Sequence, residues 1–128
     1  MAAAVADYRP RAASPTKLKR TGETLHLELV PNPDLLADIG GRRRGAKPFL
    51  VGFALETAKG DSLTALAMRK LETKRVDLVV ANSAAAALSR DDNHVTLVTK
   101  DGAEALDIMP KLAIADVILD RIRTAVAP

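Results

Sequence analysis

Two lysines in the middle of the chain are the first residues whose spacing suggests chemistry. Lys70 and Lys74 are four positions apart in a stretch with helical periodicity, so they share one face of a helix. Two ammonium groups on one face repel each other unless an anion or an acidic side chain lies between them. The spacing suits a clamp for a polyphosphate, and it also suits a solvated last helical turn, where cations interact favourably with the helix dipole.

Further cations lie in two short basic segments. Lys17, Lys19 and Arg20 are framed by prolines and a glycine, which predicts an arm able to close over a phosphate or, alternatively, a solvated run of charge. We interpret residues 42–44, three consecutive arginines, as a solvated basic loop. Neither segment resembles a Walker loop or the G-x-G-x-x-G fingerprint, so any phosphate site here is of another kind.

Three apolar segments, residues 2–6, 49–54 and 76–81, are predicted to be buried strands. In an open α/β sheet, ligands bind beyond the carboxyl ends of the strands. At these three ends the sequence places Asp7, then Phe53 with Glu56, and finally Asn82. The same residue types also cap loops, so the pattern alone leaves a site and a purely structural role open.

Other segments complete the predicted fold. We expect a half-buried strand at 25–30, a short helix at 35–39 ended by two glycines, and a helix from 61 or 62 to 74. A loop or short helix at 83–92, a strand at 95–99, a turn at 100–102, a return at 105–109 and a helix from 111 to about 125 follow. This order predicts one α/β domain of three layers, with a mostly parallel sheet and a C-terminal antiparallel hairpin.

Composition excludes several classes of site. The 128 residues include no cysteine, two histidines and 2% aromatic side chains, which excludes thiolate and multi-histidine metal centres and an aromatic platform for single-stranded nucleic acid. We therefore expect no metal ligated by the protein. The net charge of +3 suits a small phosphate-bearing ligand. Since no apolar stretch approaches the roughly 20 residues of a membrane span, we expect a cytoplasmic protein without a membrane partner.

Six short strings give the chain a family resemblance. Their order and spacing are similar to those of the C-terminal half of phosphopantothenate–cysteine ligase, which in many bacteria is fused behind a flavin-dependent decarboxylase. The strings are AAAVADYRP at 2–10, KLKR at 17–20, LVPNPD at 29–34, FLVGFALET at 49–57, RKL at 69–71 and DLVVAN at 77–82. The resemblance implies a partial Rossmann-like (ribokinase-like) domain without flavin.

The resemblance also implies a reaction. A nucleoside triphosphate, usually CTP in bacteria and otherwise ATP, carries Mg²⁺ and activates the carboxylate of 4′-phosphopantothenate as an acyl-nucleotidate, with release of pyrophosphate. The amine of cysteine then attacks this anhydride and expels the nucleoside monophosphate. Because negative charge develops on the phosphorus and on the leaving pyrophosphate, preorganised cations lower the barrier. The ligases of the family are dimers, so we expect a homodimer.

Site residues follow from the resemblance position by position. It implies that Ala3, Ala4 and Asp7 lie at the phosphopantothenate, with Asp7 also at the nucleotide, and that Lys17 is the catalytic lysine of a basic flap. For the nucleotide it implies a base and ribose segment, an aromatic ring under the base, two helix lysines at the phosphates and an asparagine at the end of the next strand. These nucleotide positions are Pro33, Asp34, Leu35, Leu36, Phe53, Lys70, Lys74 and Asn82.

Two departures from the family pattern shape the expectations. Residues 83–88 replace an acidic residue and a loop containing glycine and phenylalanine. The glycine-rich nucleotide-binding half and the catalytic asparagine of the family correspond to positions upstream of Met1. We therefore expect residues 1–128 to form one incomplete domain that is inactive alone.

Two other functions stay open at this point. The chain could be a non-catalytic nucleotide-binding, anion-binding or dimerisation module that a separate chain completes. A basic nucleic-acid binder has only the isoelectric point of about 9.4 and the arginines at 42–44 in its favour, and we expect no nucleic-acid partner.

Overall fold

The structure is a computed structural model that describes residues 1–3, 5–57, 61–83 and 91–127. Three helices and eight strands occur in the described residues. In chain order they are β1 (Tyr8–Pro10), β2 (Leu29–Pro31), α1 (Leu35–Arg42), β3 (Val51–Glu56), α2 (Asp61–Lys74), β4 (Leu78–Ser83), β5 (Asp92–Asn93), β6 (Val95–Thr99), β7 (Gly102–Ala105), β8 (Met109–Pro110) and α3 (Lys111–Val126).

A four-stranded sheet in the order β3-β4-β6-β7 forms the centre of the fold. β3 and β4 are parallel and are connected through α2, whereas β6 pairs antiparallel with both β4 and β7. The β6–β7 turn includes Gly102 at φ 143, a conformation that L side chains rarely adopt. The α/β fold class and the antiparallel C-terminal hairpin are thus confirmed.

Helices cover both faces of this sheet, which gives the predicted three layers. Alternate residues of a strand face opposite sides, so Val79 and Ala81 pack toward α1 and α2, while Leu78 and Val80 pack toward α3. Ala67 of α2 and Ile114 of α3 belong to these two cores. Ala125, near the end of α3, is exposed. None of the helices in the described part of the chain has the length and apolar character needed to cross a bilayer.

The two glycines at 40 and 41 do not end α1, contrary to expectation. The helix continues to Arg42, and at Gly40 it approaches α2 so closely that a residue without a side chain is required. A Cβ at Gly40 would overlap the carbonyl oxygen of Lys74 and lie 3.1 Å from the carbonyl carbon, whereas one at Gly41 would meet nothing within 4 Å. Gly40 therefore serves helix packing rather than chain termination.

The N-terminal segment corrects two strand predictions. Residues 1–3, 5 and 6 form no strand and are exposed, and the predicted strand at 25–30 is reduced to β2, which starts at Leu29. β1 and β2 form a separate antiparallel ribbon, with Tyr8 opposite Pro31. A strand requires a hydrogen-bonding neighbour as well as an apolar pattern, and among the described residues the regular pairing covers only three positions on each side.

The basic segment at 42–44 is solvated only in part, because Arg42 and Arg44 are exposed whereas Arg43 is mostly buried. Arg42 ends α1 and pairs with Asp38 at 2.8 Å, while the side chain of Arg43 is 12% exposed and pairs with Asp77. The same guanidinium donates to the carbonyl oxygens of Pro48 at 2.9 Å and Arg75 at 3.0 Å. Asp77 in turn accepts from the N–H of Leu50 at 2.7 Å. The result is a clasp between the end of α1 and the starts of β3 and β4.

Candidate functional site

The N-terminus of α1 brings a carboxylate and a lysine together. Asp34 is the N-cap residue, and its Oδ1 accepts from the N–H of Ala37 at 3.0 Å. Its Oδ2 lies 3.0 Å from Nζ of Lys74. The Ala37 N–H bond, helped by the Lys74 ammonium, outweighs partial burial and lowers the pKa of Asp34 below its ordinary value. The carboxylate is therefore ionised and holds Lys74 beside the start of the helix.

Lys70 is paired in the same manner. Its Nζ contacts Oε1 of Glu56, the last residue of β3, and both side chains are partly buried, at 37% and 23% exposure. The sequence left open whether an anion or an acid separates the two lysines. In the structure each lysine has its own carboxylate, so the two ammonium groups are held apart and aimed at β3 and α1.

Phe53 and Asn82 lie on the other face of the sheet. Together with Val80 of β4 and Ile114 of α3 they line a cavity of about 450 Å³ whose walls are mostly apolar. Phe53 is 51% exposed, which leaves one side of its ring open. The structure thus brings Phe53 and Asn82 together but separates them from Lys70, which contacts Glu56 on the face covered by α2.

Asp7 lies against the segment that leads into α1. Its carbonyl oxygen accepts from the N–H of Asn32 at 2.7 Å, and Asp7 itself is exposed. Ala3 is also exposed, and Ala4 lies outside the described residues. Lys17 is exposed, within a stretch that has no helix or strand from residue 11 to residue 28. The structure therefore brings Asp7 to Asn32, the residue directly before Pro33 and Asp34, and it shows no contact of Lys17 with these residues in the described part of the chain.

The segment that begins α1 has one member turned inward. Pro33 and Leu35 are exposed, but Leu36 is 6% exposed and belongs to the core, with its Cδ2 3.0 Å from where a Cβ at Gly52 would lie. The side chain of Leu36 is therefore not available to a ligand.

Residues missed by sequence reasoning complete the site. Asn32 receives no role of its own in the sequence analysis, although its position between two prolines indicates a special backbone role. The Oγ of Ser83, at the end of β4 and opposite Glu56 in the parallel register, is buried and has no hydrogen-bond partner among the residues that the structure describes. The loop beyond Ser83, where the sequence departs from the family, lies outside the described residues at 84–90.

Two further observations limit the chemistry. In the part of the chain that the structure describes, no three histidine, cysteine, aspartate or glutamate residues are grouped so that they could hold a metal ion. A larger cavity, of about 840 Å³, opens near the start of β4 and is lined by Lys47, Phe49 and Arg121 among others. None of the predicted site residues lines it.

A family model matches residues 1–126, and its description is the DNA/pantothenate metabolism flavoprotein C-terminal domain. The chain belongs to this family. The resemblance derived from the six strings is thereby confirmed. Comparison with individual relatives gives the same assignment and shows what share of their length the chain covers.

Among the relatives is the coenzyme A biosynthesis bifunctional protein CoaBC of Vibrio vulnificus strain YJ016, 38% identical over 127 residues. The match covers 95% of this chain and 31% of that protein, so the chain spans less than a third of this relative. A crystal structure of the C-terminal domain of CoaBC superposes with a TM-score of 0.68 and 32% identity, covering 96% of this chain and 51% of that one.

A Cab2 mutant in complex with phosphopantothenate-cysteine shares the fold, with a TM-score of 0.51 and 20% identity. The match covers 83% of this chain and 36% of that one.

Proposed function

We propose that this chain is the C-terminal part of a phosphopantothenate–cysteine ligase in coenzyme A biosynthesis. In the proposed reaction a carboxylate oxygen of 4′-phosphopantothenate attacks the α-phosphorus of CTP, and pyrophosphate leaves. The amine of cysteine then attacks the acyl carbon of the acyl-cytidylate, an amide forms and CMP leaves. Family membership supports the proposal, as do the name of the Vibrio relative and the ligand of the Cab2 structure.

The observation that carries the proposal is the pair of α2 lysines, of which Lys74 is held beside the N-terminus of α1 and Lys70 at the end of β3. Lys74 is fixed by Asp34, and Lys70 by Glu56. Each ammonium group has three N–H donors. Both lysines can therefore donate to phosphate oxygens of a bound triphosphate while they keep their hydrogen bonds to the two carboxylates. The cations are in place before the reaction starts, so charge that develops on the leaving pyrophosphate is stabilised without rearrangement.

The base of the nucleotide is assigned to the other face of the sheet. The half-exposed ring of Phe53 offers a stacking surface, and the Asn82 amide offers a donor and an acceptor to a base edge. In this arrangement the nucleotide crosses the carboxyl edge of β3 and β4, with its phosphates toward α2. The preference for CTP over ATP depends on these two residues and stays a prediction.

The acyl substrate is assigned to the segment before β1. In the proposal, phosphopantothenate binds at Ala3, Ala4 and Asp7, and Lys17 closes over the reacting groups when both substrates are present. Lys17 is exposed in the irregular stretch between β1 and β2, so it is free of the sheet and able to approach. Magnesium, in this proposal, is carried by the triphosphate of the substrate, and no step is assigned to a protein metal site.

We further propose that the β1–β2 ribbon is a contact between two copies of the chain. Leu29 of β2 and Tyr8 of β1 are 53% and 59% exposed, and Leu25 and Leu27, in the segment that leads into β2, are 64% and 59% exposed. Exposed apolar side chains on and beside an open two-stranded ribbon favour pairing with a second copy. Replacement of Leu27 by Lys should shift the chain toward monomer in analytical ultracentrifugation, whereas an unchanged mass would contradict this interface.

In this proposal, residues 1–128 form an incomplete ligase domain, and the glycine-rich half of the ligase binds part of the nucleotide. The alternative, a nucleotide-binding or dimerisation module completed by a separate chain, shares the lysine site and the ribbon. Both alternatives predict that this chain alone is inactive. We therefore expect no pyrophosphate release by this chain alone, and release at an enzymatic rate would contradict the proposal of an incomplete domain. The cytoplasmic location also stays a prediction.

Calorimetric titration with CTP and ATP tests the nucleotide site. Loss of a charge-assisted contact costs about 1.5–3 kcal/mol, so Lys70→Ala or Lys74→Ala should weaken binding by about 10- to 100-fold. Arg69→Ala is the matched control, because Arg69 is an exposed cation on the same helix. No binding by the unmodified chain, or an equal loss in the Arg69 variant, would contradict the site.

A further inference from the structure

Asn32 occupies a backbone position that its neighbours stiffen. Pro31 and Pro33 flank it, and each proline fixes its own φ and restricts the residue before it to extended conformations. Because prolines have no N–H, the amide of Asn32 is the sole backbone donor of residues 31–33. Its conformation therefore has little freedom, and any contact it makes directs the chain that enters α1.

Every polar group of Asn32 except its own carbonyl oxygen is used on one short segment, residues 6–9. Its backbone N–H donates to the carbonyl oxygen of Asp7 at 2.7 Å. Its Nδ2 donates to the carbonyl oxygen of Ala6 at 2.7 Å. Its Oδ1 accepts from Nη1 of Arg9 at 3.1 Å, and the same guanidinium nitrogen donates to the carbonyl oxygen of Pro31 at 2.8 Å.

Burial in the core does not help to hold the segment that contains Asp7. Residues 5–9 are exposed, and β1 pairs with β2 over only three positions. An exposed ribbon of this length is marginal by itself. The hydrogen bonds of Asn32 and Arg9 thus act as a bracket between the segment that contains Asp7 and the segment that begins α1 at Asp34.

We propose that Asn32 is a positioning residue that holds Asp7 at a set separation from the N-terminus of α1. This inference rests on the proposed function, in which Asp7 serves the acyl substrate and Asp34 lies at the nucleotide. The carboxylate and the α-phosphorus must meet within about 3–3.5 Å, so the relative placement of the two binding segments matters for rate. Asn32 sets this placement through the backbone of residues 6 and 7, without touching either substrate.

The first test measures order in the chain as it is, with no ligand. Backbone ¹⁵N relaxation is recorded for Asp7 and Leu35 in the unmodified chain and in Asn32→Ala, Asn32→Asp and Arg11→Ala variants. Arg11→Ala removes another contact of the same ribbon, the Arg11–Glu28 pair at 2.8 Å, and is the matched control.

We expect Asn32→Ala to lower the order parameter of Asp7 below about 0.6 while Leu35 keeps a value near 0.85. Asn32→Asp, which keeps the acceptor for Arg9 but loses the donor to Ala6, should lie in between. Arg11→Ala should leave Asp7 unchanged. An Asp7 amide that stays as ordered in Asn32→Ala as in the unmodified chain overturns the inference.

The second test uses the full ligase that contains this chain. Asn32→Ala should lower kcat by about tenfold with little change in the KM for CTP, as expected where placement rather than binding is lost. Disordering of Asp7 together with an unchanged kcat also overturns the inference. The two proposals fail separately: if the chain binds no CTP, the proposed function fails, whereas the relaxation measurement still decides whether Asn32 holds Asp7.

Discussion

The contact between α1 and α2 can be tested by comparing two substitutions, Gly40→Ala and Gly41→Ala. Gly40 and Gly41 are adjacent residues of the same helix, and Ala replaces either one by the same chemical change. At Gly40 the new methyl group would overlap the carbonyl oxygen of Lys74 and lie 3.2 Å from that of Arg75. At Gly41 it would meet nothing within 4 Å.

The magnitudes follow from two terms. Alanine is favoured over glycine inside a helix by about 1 kcal/mol, and this term applies to both variants. Inserting a methyl group into a packed contact costs about 1–3 kcal/mol, and the upper end applies to Gly40, since a backbone carbonyl moves only with its whole helix. Gly40→Ala should therefore lose about 2 kcal/mol of unfolding free energy, whereas Gly41→Ala should gain about 1 kcal/mol.

Equilibrium urea unfolding followed by circular dichroism measures the difference. For a slope of about 1–3 kcal/mol per molar urea, a difference of about 3 kcal/mol separates the two midpoints by about 1–3 M. Gly40→Ala should also weaken CTP binding, because displacement of α1 moves Asp34 away from Lys74. Equal midpoints for the two variants, or a higher midpoint for Gly40→Ala, would refute the packing argument.

Three further predictions concern other parts of the molecule. Arg43→Ala should cost about 3 kcal/mol of unfolding free energy in urea melts, because it leaves the partly buried Asp77 without its cation; a loss below about 0.5 kcal/mol would contradict the clasp. The lowered pKa of Asp34 means that its stabilising contribution is present above its ordinary value near 4 and is lost as the pH falls through the lower folded value. Unfolding free energy should therefore fall more steeply below about pH 4 in the unmodified chain than in Asp34→Asn, and parallel profiles would contradict this. Amide hydrogen exchange should be fast over residues 12–21, which are exposed and lack regular structure, and strong protection there would argue against a closing flap.

Several elements could be predicted because their signals are local. The helix bounds of α2 follow from its periodicity, β6 from an apolar run, and the turn of the β6–β7 hairpin from residues 100–102. The return strand is shifted, because β7 spans Gly102–Ala105 and not the expected 105–109. In each case the residues that specify the element are neighbours in the chain. The family could also be assigned from the six short strings. Their order along the chain is that of the family, and this order does not depend on correct prediction of the strands and helices around them.

The N-terminal strands show where local signals fail. Residues 2–6 are apolar and residues 25–30 alternate, but a strand forms only where another backbone accepts its hydrogen bonds. That partner is a tertiary property, and the described residues provide it for Tyr8–Pro10 and Leu29–Pro31 alone. Apolar alternation therefore predicts which side chains would share a face, and it cannot predict whether the face is covered.

For the candidate site, too, some features could be predicted from the sequence and others could not. The sequence by itself determined which residue types are available: two lysines one turn apart, a carboxylate before a helix, and an asparagine and a ring near the ends of strands. Only the tertiary structure decided that each lysine has its own carboxylate, that Phe53 and Asn82 lie on the opposite face, and that Asn32 holds Asp7 beside α1. Spacing along the chain specifies a shared helix face over a few residues, whereas these contacts join positions 14 to 40 residues apart, which packing alone brings together.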